Sequence, residues 1–475
     1  MNAAPIPSLE EVKWFLPWVV AVALFMQQLD ATIVNTAIPT MAASLHVASL
    51  SLKAVVTSYT IGLAVFIPIS GWVADRFGTR RVFAVAIALF SLGSLLCGLS
   101  PSLSWLIISR VVQGVGAAIM MPVGRLALLL TFPKAEILQV MNFVIIPALL
   151  GPLLGPFLGG VIVHWMPWRM IFLLNLPFGA LGLYLVHRFM PDHRESELAR
   201  FDWRGFLLFG TGIALLSYVL EIFGEHSLGS RPVVSLLLLS LLLLGGYVWH
   251  DQRTPDPLLP LSLFGLRTFR VSVVGGFVTR LGISGMPFLL PLLYQLGMGY
   301  EPWQAGLLTM PQGFAAMGMK MLTMPILARL GHRQVLLVNT VLIGAMILVF
   351  SRVGPGTPVP VIILLSLLQG SFSALQFTSM NSLAYADTSD KQASDASTMA
   401  STAQQLSISF GVAVASLVTG WFLGGVNRAD PTLLVSALHQ AFLALGLMTI
   451  LSALAFLGLR PDDGSAVSHH DVGEG

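Results

Sequence analysis

Charge is what this sequence has least of. Only 10% of its 475 residues are Asp, Glu, Lys or Arg, while 55% are hydrophobic; a soluble domain carries about 25% charged residues. So little charge cannot cover a water-facing surface, which excludes a soluble globular protein. The excess of base over acid is only +3, so the charge balance gives no sign of a nucleic-acid partner. Cysteine is reduced to Cys97, so no intramolecular disulfide can form. The ten histidines show no metal-ligand spacing, and His469 and His470 sit in a polar tail. No glycine-rich phosphate loop ending in Gly-Lys-Ser or Gly-Lys-Thr is present, which argues against ATP as an energy source. The alternating ten-residue strands of an outer-membrane barrel are missing too.

Long apolar runs are present in their place. Fourteen of them follow one another, at 14–37, 52–74, 82–100, 104–130, 137–163, 168–189, 203–223, 231–249, 268–295, 303–328, 334–352, 358–384, 395–423 and 437–459. Each is close to the roughly 20 residues a bilayer-crossing helix needs. The expected fold class is therefore an all-α integral membrane protein with fourteen transmembrane helices. Glu10 and Glu11 stand beside Lys13 before a first run too long for a signal core, so that run is expected to stay as an uncleaved helix. Lys and Arg favour cytoplasmic loops. With both termini inside, 16 of the 25 basic residues fall on the inner side, 5 on the outer side, and 4 within helices. Both termini are therefore expected in the cytoplasm.

The two halves repeat weakly. RFGTRRV (76–82) aligns with RLGHRQV (329–335), VVQGVGAAIMMPVGRLAL (111–128) with LLQGSFSALQFTSMNSLA (367–384), and FMQQLD (25–30) with FVTRLG (277–282). The nearly constant offset points to duplicated six-helix units of the kind transporters use. The expected division is a cytoplasmic N-terminus (1–13), a first six-helix bundle (14–190), an inserted helix pair with its loops (191–255), a second bundle (256–460) and a polar cytoplasmic tail (461–475).

Four stretches carry a resemblance: LDATIVNTAIP (29–39), GWVADRFGTRR (71–81), LIISRVVQGVGAA (106–118) and GPLLGPFLGG (151–160). Together they resemble the major facilitator superfamily over essentially the whole chain, specifically its fourteen-helix drug:proton antiporters. Ile38 stands where that family usually has Leu. The spacing of RVVQGVGAAIMMPVGR and LNLPFG (174–179) is also similar to that of uncharacterised enterobacterial drug exporters. The resemblance implies a proton-coupled exporter of drugs or of amphipathic or anionic metabolites in the bacterial inner membrane, driven by the proton gradient with no cofactor. Its partners would be the substrate, protons and the lipid bilayer, and it would be monomeric. The stretch at 151–160 is usually missing from uptake symporters, the alternative within transport; a receptor or scaffold is the alternative outside it.

Each motif also has its own physics. Gly71 and Gly78 permit tight packing and a sharp turn, and Asp75 could pair with Arg76, Arg80 or Arg81. Such a cluster could latch one face of the protein, or could simply anchor its topology. Gly151, Gly155, Gly159 and Gly160 clear a helix stripe so that a partner backbone can approach, while Pro152 and Pro156 weaken the helix ladder. Asp30 and Arg110 lie at matching depth, about 10 Å below the outer surface at a rise of roughly 1.5 Å per residue, so they can meet. Burial favours a neutral carboxyl group and a nearby guanidinium favours a charged one. An acid so placed suits proton coupling, and arginine, which stays protonated, leaves Asp30 as the titrating member. A static ion pair is the plainer alternative.

Away from the helix ends, within the membrane, the count is four cations, Arg110, Arg125, Arg280 and Lys320, against two acids, Asp30 and Glu221. That balance makes an anionic or zwitterionic substrate a live option. Candidate substrate contacts are Gln27, Asn35, Gln113, Arg125, Arg280 and Lys320, with other amides such as Asn142, and with Met310 to Met324 as an adaptable surface.

Overall fold

A computed structural model describes residues 9–195, 200–223, 231–389, 392–423 and 431–468. The side chains of Asn142 and Glu221, together with Lys391, Arg428, His469 and His470, lie outside the described residues. All regular structure among the described residues is helical, as a lipid environment requires of segments that must satisfy their own backbone.

The first bundle comprises α1 (Leu9–Leu45), α2 (Lys53–Phe66), α3 (Thr79–Gly98), α4 (Leu103–Thr131), α5 (Lys134–Trp165) and α6 (Asn175–Phe189). The inserted pair is α7 (Trp203–Phe223) and α8 (Arg231–Asp251). In the second bundle α9 (Gly276–Leu292) is flanked by π-helical turns. A continuous 49-residue stretch, Pro302–Phe350, bends at Gly331, whose φ of 71° no helix interior adopts. It forms two limbs, α10 (302–330) and α11 (332–350). Helices α12 (Val359–Ala384), α13 (Ala393–Leu423) and α14 (Pro431–Ser452) complete the bundle. Among the described residues thirteen helices are long and apolar enough to cross a membrane; the bent one supplies two crossings, which gives the fourteen expected. The Gly331 bend falls inside RLGHRQV, the repeat partner of the turn at Gly78.

The core is distributed unequally along the bundle axis. Toward the end holding Leu45 and Cys97, one apolar cluster joins both bundles, with Ile33, Ile38 and Val55 packed together with Met286, Leu289 and Ala441. At the opposite end, which carries Leu9 and Asp463, the main clusters are separate, with Leu16, Phe83 and Val123 in the first bundle and Leu336, Met380 and Phe456 in the second, and the bundles meet there through a smaller cluster of Val65 with Phe269 and Met399. The bundles are therefore sealed at the Leu45 end, whereas at the other, here called the terminal face, they part along α5 and α10 and stay joined along α2 and α13.

Two seams connect the bundles. Along α5 and α10, a Cβ on Gly160 would overlap Pro302, one on Gly306 would overlap Pro156, and one on Gly313 would lie 2.8 Å from Leu153. The contact then stops: nothing lies within 4 Å of the Cβ position of Gly318, and Met321 is 82% exposed. The other seam, between α2 and α13, is bridged where Ser416 donates to the Leu50 carbonyl at 3.3 Å. Helix α7 covers this second seam. Phe209 and Ile213 share a core with Val65 of α2 and with Met399 and Leu406 of α13.

At the terminal face both bundles are strapped. Residues 191–195, assigned by sequence to the insertion, pack on the first bundle instead: Thr79 donates its backbone N–H to the His193 carbonyl at 3.0 Å. Asp463, assigned to the polar tail, is buried in a two-pronged ion pair with Arg267, at 3.0 and 2.5 Å. A buried carboxylate needs such a partner, and sequence gave no sign of this one.

Candidate functional site

Asp30 is fully buried two-thirds of the way along α1. Helix α1 can lie close to α5 because α5 presents glycine there. A Cβ on Gly151 would come 2.7 Å from the Leu29 nitrogen, and Cβ atoms on Gly155 and Gly159 would overlap Thr32 and Ile33. Thr32 and Thr36 donate their hydroxyls to the carbonyls of Gly151 and Pro156, at 3.3 and 3.0 Å. The expected glycine stripe is thus divided. Three of its members face α1, and Gly160 faces the second bundle. Pro152 and Pro156 lie within a helix that continues without a break.

Arg110 of α4 donates Nη1 to Asp30 Oδ2 at 2.5 Å. The same nitrogen donates to Gln113 Oε1 at 2.7 Å, and Nε donates to the Val55 carbonyl at 3.1 Å. The face of the guanidinium lies 4.2 Å from the Tyr59 ring centroid, a cation–π contact. Gln113 Nε2 and Asn175 Nδ2 both donate to Asp30 Oδ1 at 2.8 Å, and both also reach Ser94 Oγ, at 2.7 and 3.2 Å. Four helices, α1, α3, α4 and α6, therefore converge on one carboxylate that receives three N–H donors.

The depth argument from sequence brought Asp30 and Arg110 together, and the geometry agrees. Gln113, expected to touch substrate, is instead fully buried in this network. Asn175 and Ser94 were missed. Asn175 lies in LNLPFG, whose pattern drew attention without assigning the asparagine a partner.

The other candidates separate by exposure. Gln27 and Asn35 are buried on α1, and Gln27 Oε1 has no hydrogen-bond partner. Arg125 and Lys320 are exposed and have no ionic partner among the described residues. Lys320 follows Gly306 and Gly313 at seven-residue steps on α10, just past the point where α10 leaves α5. Arg280 on α9 is only 4% exposed, yet no carboxylate lies within ion-pair distance among the described residues.

In the 71–81 stretch, Gly78 has φ of 94°, and a Cβ there would overlap the Asp192 carboxylate. The sharp turn is as expected. Gly71 differs: nothing lies within 4 Å of its Cβ position, so it serves no tight packing. Asp75 pairs with no arginine among the described residues. Its carbonyl accepts the Glu195 backbone N–H at 3.2 Å. Arg76 lies over Trp72 at 5.5 Å, and Arg80 donates to the His187 carbonyl. Arg81 is exposed. The loop is held by the strap after α6 rather than by its own acid.

With this geometry established, known proteins provide a comparison. The sequence profile described as Major Facilitator Superfamily matches residues 20–412 and, overlapping, 274–472. The chain is 39% identical over 453 residues to "Putative multidrug resistance protein MdtD" of Pectobacterium atrosepticum, covering 95% of this chain and 96% of that one. It is also 39% identical over 460 residues to a protein of the same name from Cronobacter sakazakii, covering 96% of each. Among solved structures it is similar to a D-xylose-proton symporter, with a TM-score of 0.67 at 14% identity over 95% of this chain and 99% of that one.

Proposed function

The chain belongs to the Major Facilitator Superfamily and is a multi-pass membrane transporter rather than an enzyme, and on that premise we propose that it exports small molecules in exchange for protons. Relatives named for multidrug resistance support efflux of drugs; amphipathic or anionic metabolites are the other cargo of this reading. The basic bias of the terminal face supports a bacterial inner-membrane orientation with both termini in the cytoplasm, and the protein acts as a monomer. On that orientation the sealed Leu45 end faces outward and the diverging bundles open to the cytoplasm.

The observation that carries this reading is the enclosed carboxylate of Asp30. Its two oxygens meet only N–H donors, from Arg110, Gln113 and Asn175. An ionised carboxylate is acceptor-only, whereas a carboxylic acid must also donate. The arrangement suits an acid that has already released its proton, in a state open to cytoplasmic substrate. Opening the Leu45 end would separate Ile33 and Ile38 from Met286 and Leu289, let water reach Asp30 and disturb the donors. Proton uptake from outside would then accompany substrate release. An intramembrane acid held this way is functional by default.

The glycine contacts of α5 with α1 and α10 form the sealing surface on this reading, and the 71–81 loop with its strap is the latch at the other face. The bodies that rock are 14–190 and 256–460, with 191–255 between them. Gln27, Asn35, Arg125, Arg280 and Lys320 remain the candidate substrate contacts.

Internal pH of proteoliposomes tests the reading. Adding substrate should move protons opposite to it, and Asp30→Asn should reduce that coupled flux at least 100-fold. Co-directional flux would make the protein a symporter. Full-rate coupled flux in Asp30→Asn would remove Asp30 from the mechanism.

A further inference from the structure

Arg280 is a buried cation without a counter-charge among the described residues. It is 4% exposed, and its Nε has no hydrogen-bond partner. Among the described residues its hydrogen bonding is limited to Nη2, which donates to Asn381 Oδ1 at 3.1 Å. The guanidinium lies 5.2 Å from the Phe377 ring centroid. Space has been cleared for it: a Cβ on Gly276, one turn earlier on α9, would come 2.9 Å from Nη1. Side chains on a helix lean toward its N-terminus, and for α9 that is the terminal face, where the bundles diverge. Asn381, the partner, is exposed.

We infer that Arg280 and Asn381 form an oxyanion subsite, and that the exported substrate carries a carboxylate. This rests on the transport reading above and adds the charge of the cargo. A desolvated ion without a partner costs several kcal/mol, so such a residue persists where a ligand completes it. Nε and Nη2 lie along one edge of the planar guanidinium, and that edge matches the two oxygens of a carboxylate. Asn381 Oδ1 occupies the place of one of those oxygens and, being on an exposed amide, can turn aside. The amide then offers its Nδ2 to the same carboxylate. The Phe377 ring supplies an apolar wall for the rest of an amphipathic anion. A lipophilic cation meets only repulsion here, with Arg125 and Lys320 unpaired and exposed on the same half of the molecule.

Thermal unfolding of the purified full chain reads the subsite without requiring transport. Benzoate and 2-naphthoate should raise Tm in a concentration-dependent way at constant chloride, and tetraphenylphosphonium should not. Arg280→Gln should weaken carboxylate binding at least tenfold, Arg280→Lys should weaken it less, and Asp30→Asn should leave it in place. Asn381→Asp, which supplies an internal carboxylate, should abolish it, and this variant keeps the test open should Arg280→Gln fail to fold. Protection of wild type by tetraphenylphosphonium alone, no protection by either carboxylate, or equal carboxylate binding by Arg280→Gln would each overturn the subsite. Carboxylate binding without any proton flux in proteoliposomes would overturn the export reading and leave the subsite standing.

Discussion

Among the described residues each bundle buries one guanidinium, and the two are treated in opposite ways. Arg110 meets a carboxylate, a carboxamide, a backbone carbonyl and a tyrosine ring, all closed off from solvent. Arg280 meets one carboxamide and a phenylalanine ring. The repeat explains part of the contrast. At an offset of 252 Asp30 corresponds to Gly282, whose Cβ position is filled by the Thr449 hydroxyl, so the second bundle has no acid where the first has one. At 256 Gln113 corresponds to Gln369, which is buried with neither amide atom partnered. One half thus holds a closed ion-pair network around Asp30, and the other an incomplete polar site around Arg280 and Gln369. On the proposed function, the first bundle would supply the energy coupling and the second the recognition.

The comparison is broken most severely at Arg110. Arg110→Gln leaves Asp30 as a buried charge without its counter-ion, and removing one member of a buried pair typically costs about 3–5 kcal/mol. Tm of the purified protein should fall steeply. Adding Asp30→Asn to the same chain should recover part of that loss, since the orphaned charge is gone. If the double variant unfolds as early as Arg110→Gln, the two residues are not an energetic pair. Arg280→Gln should act in the opposite direction, leaving Tm unchanged or raised, because it removes a cation that nothing in the resting protein neutralises.

A smaller and constructive change would make Arg280 resemble Arg110. Asn381→Asp gives the guanidinium a carboxylate at a distance already set by the 3.1 Å contact. Because Asn381 is exposed, the gain should be modest, about 1 kcal/mol, visible as a raised Tm in the absence of ligand. A fall in Tm would mean that the guanidinium is already neutralised.

Much of this contrast was legible in the sequence. The apolar runs gave fourteen crossings because the period and length of a spanning helix are set by the bilayer. The depth match of Asp30 and Arg110 rests on an expected end of the first run at 37; α1 runs on to Leu45, so their meeting stands on the 2.5 Å contact and not on the residue count. Rotation about the helix axis was not legible, and it decides the rest. It put Gln113 and Asn175 on Asp30 and Ser94 on both of their amides, split the α5 glycines between two neighbours and left Gly71 facing open space. Long-range docking of irregular segments was equally hidden, since neither Asp192 beneath Gly78 nor Asp463 on Arg267 follows from any local spacing. The sequence did show a surplus of intramembrane cations, but not which one would be buried alone.

The finest distinction concerns the ring beneath each guanidinium. Tyr59 holds its ring against Arg110, yet its hydroxyl is buried with no hydrogen-bond partner; Phe377 offers Arg280 a ring without that polar atom. If the ring face is all that Arg110 uses, Tyr59→Phe keeps the contact and removes an unsatisfied group, whose desolvation costs about 1–3 kcal/mol. The change should therefore leave Tm unaltered or raise it slightly, with proton-coupled flux intact. On the proposed cycle, a loss of coupling at normal Tm would mean that the hydroxyl is engaged in another state, when the Leu45 end opens and water reaches the carboxylate. In that event the two bundles would differ by a proton-handling hydroxyl as well as by an acid, and the division of labour between them would be deeper than one ion pair.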